Sequence, residues 1–591
     1  MNIEQYYISL RKHFHFSLDG ESFSVSMDEL TCALSCTRRN VQLVLKKMVD
    51  KNFIQWQPGK GRGNQSQMTF LMPLNELILE KSKRLVLEGK LNEAWMLIEN
   101  LQIQRTKYEF SEWLYLQLGF QQHSDEEDVL RFPFYRPVLD LDPTFVHRRT
   151  EAHIVNQIFN TLVSFDEKTR QITPELAHYW ESNHERTVWR FYLRRGVRFH
   201  HGKLMSAEDI AYSFHRILNE ASFDNIKSTL KTIKILGKHS LEFILHEPDV
   251  LFVHYLCSEK CSIIPSDLNE IQKSNSFTRY PIGTGPFQVG ENNESVLTLI
   301  ANDHYFEGRP HLDRIEMWIW PNYEENRMIR KLKEDDIYYG VFPVAKESHV
   351  QLESWEKGAT YLSFNRQKTG PLQDEYLRSA IHFALNREKM IDELQIKGVP
   401  ANSFFPEQSR KTYNSEANTK RARQLINDSN YRGESLQLYT YEMHSNEQNA
   451  KWIQQELRPL GIPIEIVILP IKEFTKQRVL ESDLIVAGEV LGTQEDISLI
   501  EMFMYLNGFI YNHLGEEQRN LVKEFISLCK REEQMEKRIE YLNCIQESLK
   551  KDHSLLFLYH VQQTVMHNHS LQGMLLNSWG KVDYKNIWLK R

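Results

Sequence analysis

Apolar and polar residues follow two different rhythms in the N-terminal part of this chain. Ile3, Tyr6, Tyr7 and Leu10 fall at i, i+3, i+4 and i+7, which predicts a first helix with one apolar face. Ser26-Met27-Asp28-Glu29 is a capping-box pattern, in which the serine oxygen and the glutamate carboxylate each accept a backbone N–H. A second helix is therefore predicted from Met27 to Leu34. Ser35-Cys36-Thr37 makes a turn, and Thr37 caps a third helix. There Val41, Val44, Leu45 and Met48 form the inner stripe, with Arg38, Arg39, Gln42 and Lys46 on the other side. Two short helices around a tight turn, the second amphipathic and basic outside, describe a helix-turn-helix.

The rhythm then changes to alternation. Residues 53–57 (FIQWQ) and 67–71 (QMTFL) read as strands, with PGKGRGNQS between them at 58–66. That glycine-rich run is not a nucleotide loop. A Walker loop requires GxxxxGK[ST] leading into a helix, and a dinucleotide loop requires GxGxxG; here position 64 is Asn and a strand follows. The run reads as the wing of a winged helix, with its glycines close to phosphates and Lys60 and Arg62 neutralising them. Base reading falls to Arg38, Arg39, Asn40 and Gln42, since Arg suits guanine and Asn or Gln suits adenine.

Residues 75–120 are helical in pattern, with a break at Gly89-Lys90. QQHSDEED at 121–128 marks a boundary. Beyond it strands and helices interleave: a strand at 129–135, a helix near 151–162, a strand-like stretch at 187–199, and a capped helix opening at Ser206. Ile453, Leu457 and Leu460 line a helix stopped by Gly461, and Ile464–Leu469 is predicted as a buried strand. Helix, glycine, strand is an α/β signature.

Composition narrows the class. At 591 residues the chain is expected to hold roughly four units. With 41% hydrophobic and 26% charged residues it reads as globular. No stretch approaches a membrane span, and the N-terminus does not read as a secretory signal. The six cysteines, spaced CxxxC where they pair up, read as free thiols, which favours the cytoplasm. The net charge of −7 is unevenly spread: within 37–67 seven cations face Asp50 alone. A basic module on an acidic body calls for a polyanionic partner for the module. No GxSxG or HExxH pattern appears, so the chain is read as a non-enzyme without cofactor. His200-His201 and His567-Asn568-His569 are read as structural histidines rather than metal ligands, and Asp140 and Asp142 as shaping a turn.

Longer stretches carry a resemblance. LDLDP at 139–143, FNTLVSFDEKTRQITPELAHYW at 159–180, FHHGKLMSAEDIAYSFHRIL at 199–218, PIGTGPF at 281–287, YLSFN at 361–365 and DEYLRSAIHFALNREKMI at 374–391 follow one another in an order that resembles the family 5 extracellular solute-binding proteins. That resemblance covers nearly all of 129–591 and implies two hinged lobes that close over a ligand. Joined to LSCTRRNVQLVLKKM at 34–48 and GKGRG at 59–63, the whole chain resembles the SgrR family of transcriptional regulators.

The implied architecture is multidomain: a winged helix-turn-helix (α+β), a helical connector, and a two-lobed α/β body like the periplasmic binding proteins. Its expected bounds are 1–74, 75–128, 129–359 with 553–591, and 360–552. The implied function is a DNA-binding transcriptional regulator sensing a small molecule, a sugar phosphate, peptide or similar. The alternative is the substrate-binding component of a peptide importer, which would need export. The expected partners are double-stranded promoter DNA and a small-molecule ligand, with no membrane; a homodimer stays open, since helix-turn-helix proteins often occupy two half-sites. From the matching segments Thr144, Phe145, Phe404 and Phe405 are candidates for the ligand cleft. Peptide-binding transport members usually show a Trp followed shortly by an Asp; the matching region here reads Ile485-Val486-Ala487-Gly488-Glu489-Val490, so Glu489 is the candidate replacement acid.

Overall fold

The computed structural model describes residues 2–59, 65–122, 127–146, 148–219, 224–268, 277–320, 339–340, 349–415, 417–504 and 508–590. The N-terminal module runs α1 (Ile3–His13), β1 (Ser22–Val25), α2 (Met27–Leu34), α3 (Arg38–Asp50), β2 (Ile54–Gln57) and β3 (Ser66–Phe70). The capping box forms as the pattern requires: Glu29 N–H donates to Ser26 Oγ at 3.2 Å, and Ser26 N–H to Glu29 Oε2 at 2.7 Å. Val41, Val44, Leu45 and Met48 are all buried. The sheet order is β1-β3-β2, so the hairpin gains a third strand that alternation did not predict. At four residues, only the last of them buried, β1 leaves almost no periodic signal.

Three helices follow, α4 (Leu74–Leu87), α5 (Leu91–Leu101) and α6 (Gln104–Leu116). The expected break is real: Gly89 takes φ +76 between α4 and α5, a left-handed conformation that favours glycine. The connector does not stand apart from the body. Its Trp95, Ile98, Phe110, Leu114 and Tyr115 share one hydrophobic core with the winged module and with Val296, Trp318 and Trp320 of the body. The Trp320 ring lies 5.3 Å from that of Trp95 and 4.7 Å from that of Tyr115. Asn92 Nδ2 donates to the Glu294 carbonyl at 2.7 Å. The strand β4 (Gly119–Gln122), which falls within the expected connector, pairs with β5 (Asp128–Phe134). Together with β6 (Phe287–Asn292), β7 (Val296–Ala301) and β8 (Arg314–Ile319) they build a five-stranded sheet of order β6-β7-β8-β5-β4. The winged module is thus mounted on the first lobe.

An eight-stranded sheet carries the second lobe and runs into the first. Its longer strands are β9 (His349–Trp355), β10 (Gly358–Phe364), β11 (Leu436–Tyr441), β12 (Ile464–Leu469), β13 (Leu484–Val490) and β14 (Leu555–Asn568). The fourteen-residue β14 pairs with β10 through Leu555–Tyr559 and with β9 through 562–568. This one strand spans the passage between lobes near the expected crossings at Thr360 and His553. The buried strand expected at Ile464–Leu469 is instead an edge: β12 pairs with β11 alone, and Ile468 is exposed. A mostly apolar run suits a two-sided burial, but Glu465 interrupts this one, and one edge and part of one face meet solvent. Among the described residues no helix is long and apolar enough to cross a membrane.

Candidate functional site

Two sites emerge. The first is the outer face of α3. Thr37 caps the helix, with Asn40 N–H donating to its Oγ1 at 3.4 Å. Thr37, Arg38, Arg39, Gln42 and Lys46 are exposed and Asn40 is half-buried. Arg38 is held in an ion pair by Asp28 of α2, on the flank of the helix. Arg39, Lys46 and Lys47 have no ion pair among the described residues. Across the hairpin, Gly59 N–H donates to Ser66 Oγ at 3.1 Å and closes its neck. The wing cations expected at Lys60 and Arg62 lie outside the described residues.

The second site lies where the lobes meet. Helix α7 (Arg149–Ile158) opens with two arginines at its N-terminus. Arg148 Nη2 lies 3.3 Å from Glu442 Oε1 of the second lobe, and Arg149 Nη1 lies 2.9 Å from Glu356 Oε1 between β9 and β10. Arg149 also faces Glu489 on β13. The Glu489 carboxyl is half-buried, and burial pushes its pKa up to about 7; the positive charge of Arg149 and a hydrogen bond from Tyr361 act against that rise. Burial raises the Tyr441 hydroxyl beside it, and a hydrogen bond from Asn446 opposes this. On the first lobe Lys581 is pushed down to about 8, by burial first and by Arg149 and Arg136 next. The cleft therefore carries an acid and a base whose charges are both adjustable near neutral pH, a pattern typical of binding and functional sites.

Of the expected cleft residues, Glu489 is the one that lies beside Arg149. Phe404 and Phe405 are both buried in the hydrophobic core that also holds Tyr361. Phe404 packs edge-on against Phe557 at 4.8 Å. Thr144 is buried too, its N–H donating to Asp142 Oδ1 at 3.1 Å within the turn that Asp142 caps. Phe145 is exposed, with the Arg216 guanidinium 5.7 Å over its ring. Reasoning from the residues missed Arg149, Lys581, Tyr361 and Tyr441, because they come from four separate stretches and meet only in the fold. The doubled arginine just after the LDLDP turn was the one local signal.

A second opening of about 570 Å3 lies between the first-lobe segment 165–172 and the second lobe, lined by Arg170, His254, Asp496, Glu536 and Arg538 among others. Arg538 and Asp496 are fully buried and paired at 2.7 Å. Among the described residues no group of three or more His, Cys, Asp or Glu is placed to hold a metal. Both ring nitrogens of His200 are occupied, Nδ1 by the Gly283 N–H at 3.2 Å and Nε2 by the Gly285 carbonyl at 3.1 Å.

Comparison with known proteins fits this geometry. Residues 171–509, more than half of the chain, match the bacterial extracellular solute-binding proteins, family 5 (middle). The chain belongs to that family. Ahead of its family 5 body, residues 2–118 match the sugar transport-related sRNA regulator N-terminal domain. This two-part order is shared end to end with relatives. The "HTH-type transcriptional regulator SgrR" of Yersinia pseudotuberculosis is 26% identical over 592 residues, 99% of this chain and 98% of the relative. The uncharacterized protein YhjP of Bacillus subtilis strain 168 is 29% identical over 586 residues, 97% of each chain. Solved structures place the family 5 fold. The dipeptide-binding protein of Pseudoalteromonas sp. SM9913 in complex with Met-Leu has a TM-score of 0.67 at 18% identity, over 78% of this chain and 100% of that one. The oligopeptide-binding protein AppA of Bacillus subtilis in complex with a nonapeptide has 0.64 at 21%, over 78% and 99%.

Proposed function

We propose that this chain is a non-enzymatic, cytoplasmic transcriptional regulator that binds double-stranded DNA through α3 and the β2–β3 hairpin, and that its family 5 body senses a small molecule between the lobes. The observation that carries this reading is the mounting of the module. A cationic helix face points outward, while the helices behind it share a core with the lobe that supplies Arg149 and Lys581 to the cleft. A ligand that favours one lobe arrangement then shifts the population of DNA-competent molecules, and DNA shifts ligand affinity by the same factor. An importer's receptor has no use for a basic helix held this way.

The test uses the full chain. Fluorescence anisotropy against a duplex from its own promoter region, at moderate salt, is expected to show binding that weakens steeply as salt rises. A thermal-shift screen of peptides, sugars and sugar phosphates is expected to find a compound that raises Tm and changes the DNA Kd. No DNA binding sinks the regulator reading, and DNA binding with no stabilising small molecule sinks the sensing half.

A further inference from the structure

The outward side of α3 is not uniformly polar. Arg39, Leu43 and Lys46 occupy i, i+4 and i+7, so they share one stripe. That stripe lies opposite the buried Val41, Val44, Leu45 and Met48. Leu43, at its centre, is 53% exposed. Single exposed leucines are common on surfaces, so its exposure alone carries nothing. Its place carries the argument. The side chain stands on the crest of the face that would enter a major groove, between two cations that have no ion pair among the described residues. Docking a protein partner there would strip water from those cations unless the partner brought carboxylates to both. A major groove does the reverse: phosphates take the cations, and the leucine meets the one apolar group a base pair offers there, the C5 methyl of thymine. The neighbours narrow the choice further, because Arg38 is drawn aside to Asp28 and Asn40 is half-buried beside the cap.

We propose that Leu43 reads a thymine methyl in the major groove and is a sequence-determining residue of α3. The inference rests on the DNA-binding reading above. Its chemistry is an apolar contact, so it contributes discrimination between bases without changing the salt dependence of binding.

The test selects preferred duplexes from a random library with the full chain, then replaces each thymine in turn by deoxyuridine, which removes only the methyl. Wild type is expected to lose about fourfold in affinity at one thymine per site, the value of burying one methyl group. Leu43→Ala is expected to keep its Tm and its salt slope but to bind the thymine and deoxyuridine duplexes equally, and Leu43→Met to restore the difference. If deoxyuridine is tolerated at every position by wild type, or if its penalty survives intact in Leu43→Ala, the proposal is overturned while DNA binding stands. If the chain selects no duplex at all, the regulator reading falls and this inference falls with it.

Discussion

Glu489 holds its proton far more tightly in the folded chain than a free glutamate does, with its pKa pushed from 4.5 up to about 7. A group raised in this way contributes stability that is fully present below its unfolded value and is lost as pH rises through the folded one. Wild type should therefore lose stability between about pH 4.5 and about pH 7, by at most about 3 kcal/mol and less for a half-buried group. Glu489→Gln should flatten that slope in calorimetric Tm measurements, and parallel curves for the two proteins would remove Glu489 as the cause. On α3 the expected signature is different. Lys46→Ala should weaken binding to all duplexes about equally and reduce the salt slope by about one, and Arg39→Ala should do the same if Arg39 meets a phosphate rather than the base edge expected of it. A loss confined to particular sequences would instead make either residue a base reader. The α3 face was legible in the sequence because helical spacing is local. Glu489 was legible only as a departure from a pattern, and its partner Arg149 not at all, since nothing in either stretch announces that the fold brings them together.

Elements were read well where periodicity was strong and poorly where strands were short or lay at edges. Helices α1, α2 and α3 appear where their stripes and caps put them, whereas β1 and the exposed edge of β12 depend on neighbours that alternation cannot see. Trp320 is another such dependence. Following β8, it is 2% exposed and closes the core beneath α5 and α6. Trp320→Ala should cost about 3–5 kcal/mol. It should also separate the winged module's unfolding from that of the body, so that a single calorimetric transition becomes two. One undivided transition with unchanged Tm would mean the docking is energetically idle. The same contact engages Trp95 and Tyr115 of the connector within one chain.

For the whole molecule, the two-lobed plan was legible through resemblance rather than through patterning, because chain crossings are long-range features. Gly358 marks one of those crossings. Its φ of +121 excludes ordinary side chains, and an added Cβ would come within 2.0 Å of the Glu489 carbonyl oxygen. Gly358→Ala should push β10 from β13 and disturb the cleft. The variant is expected to bind DNA without ligand as wild type does, but to lose the Tm gain from any stabilising compound. A retained gain would show that the crossing tolerates displacement.

Trp318 and Trp320 also settle what kind of part the N-terminal region is. Cut at residue 118, the fragment would end with the sides of Trp95 and Tyr115 that meet Trp320 open to water, because its interior is finished by residues encoded some two hundred positions later. The head is not an interchangeable cassette. Grafted onto another receptor it would need that receptor to carry matching aromatic rings, so head and body are bound to change together.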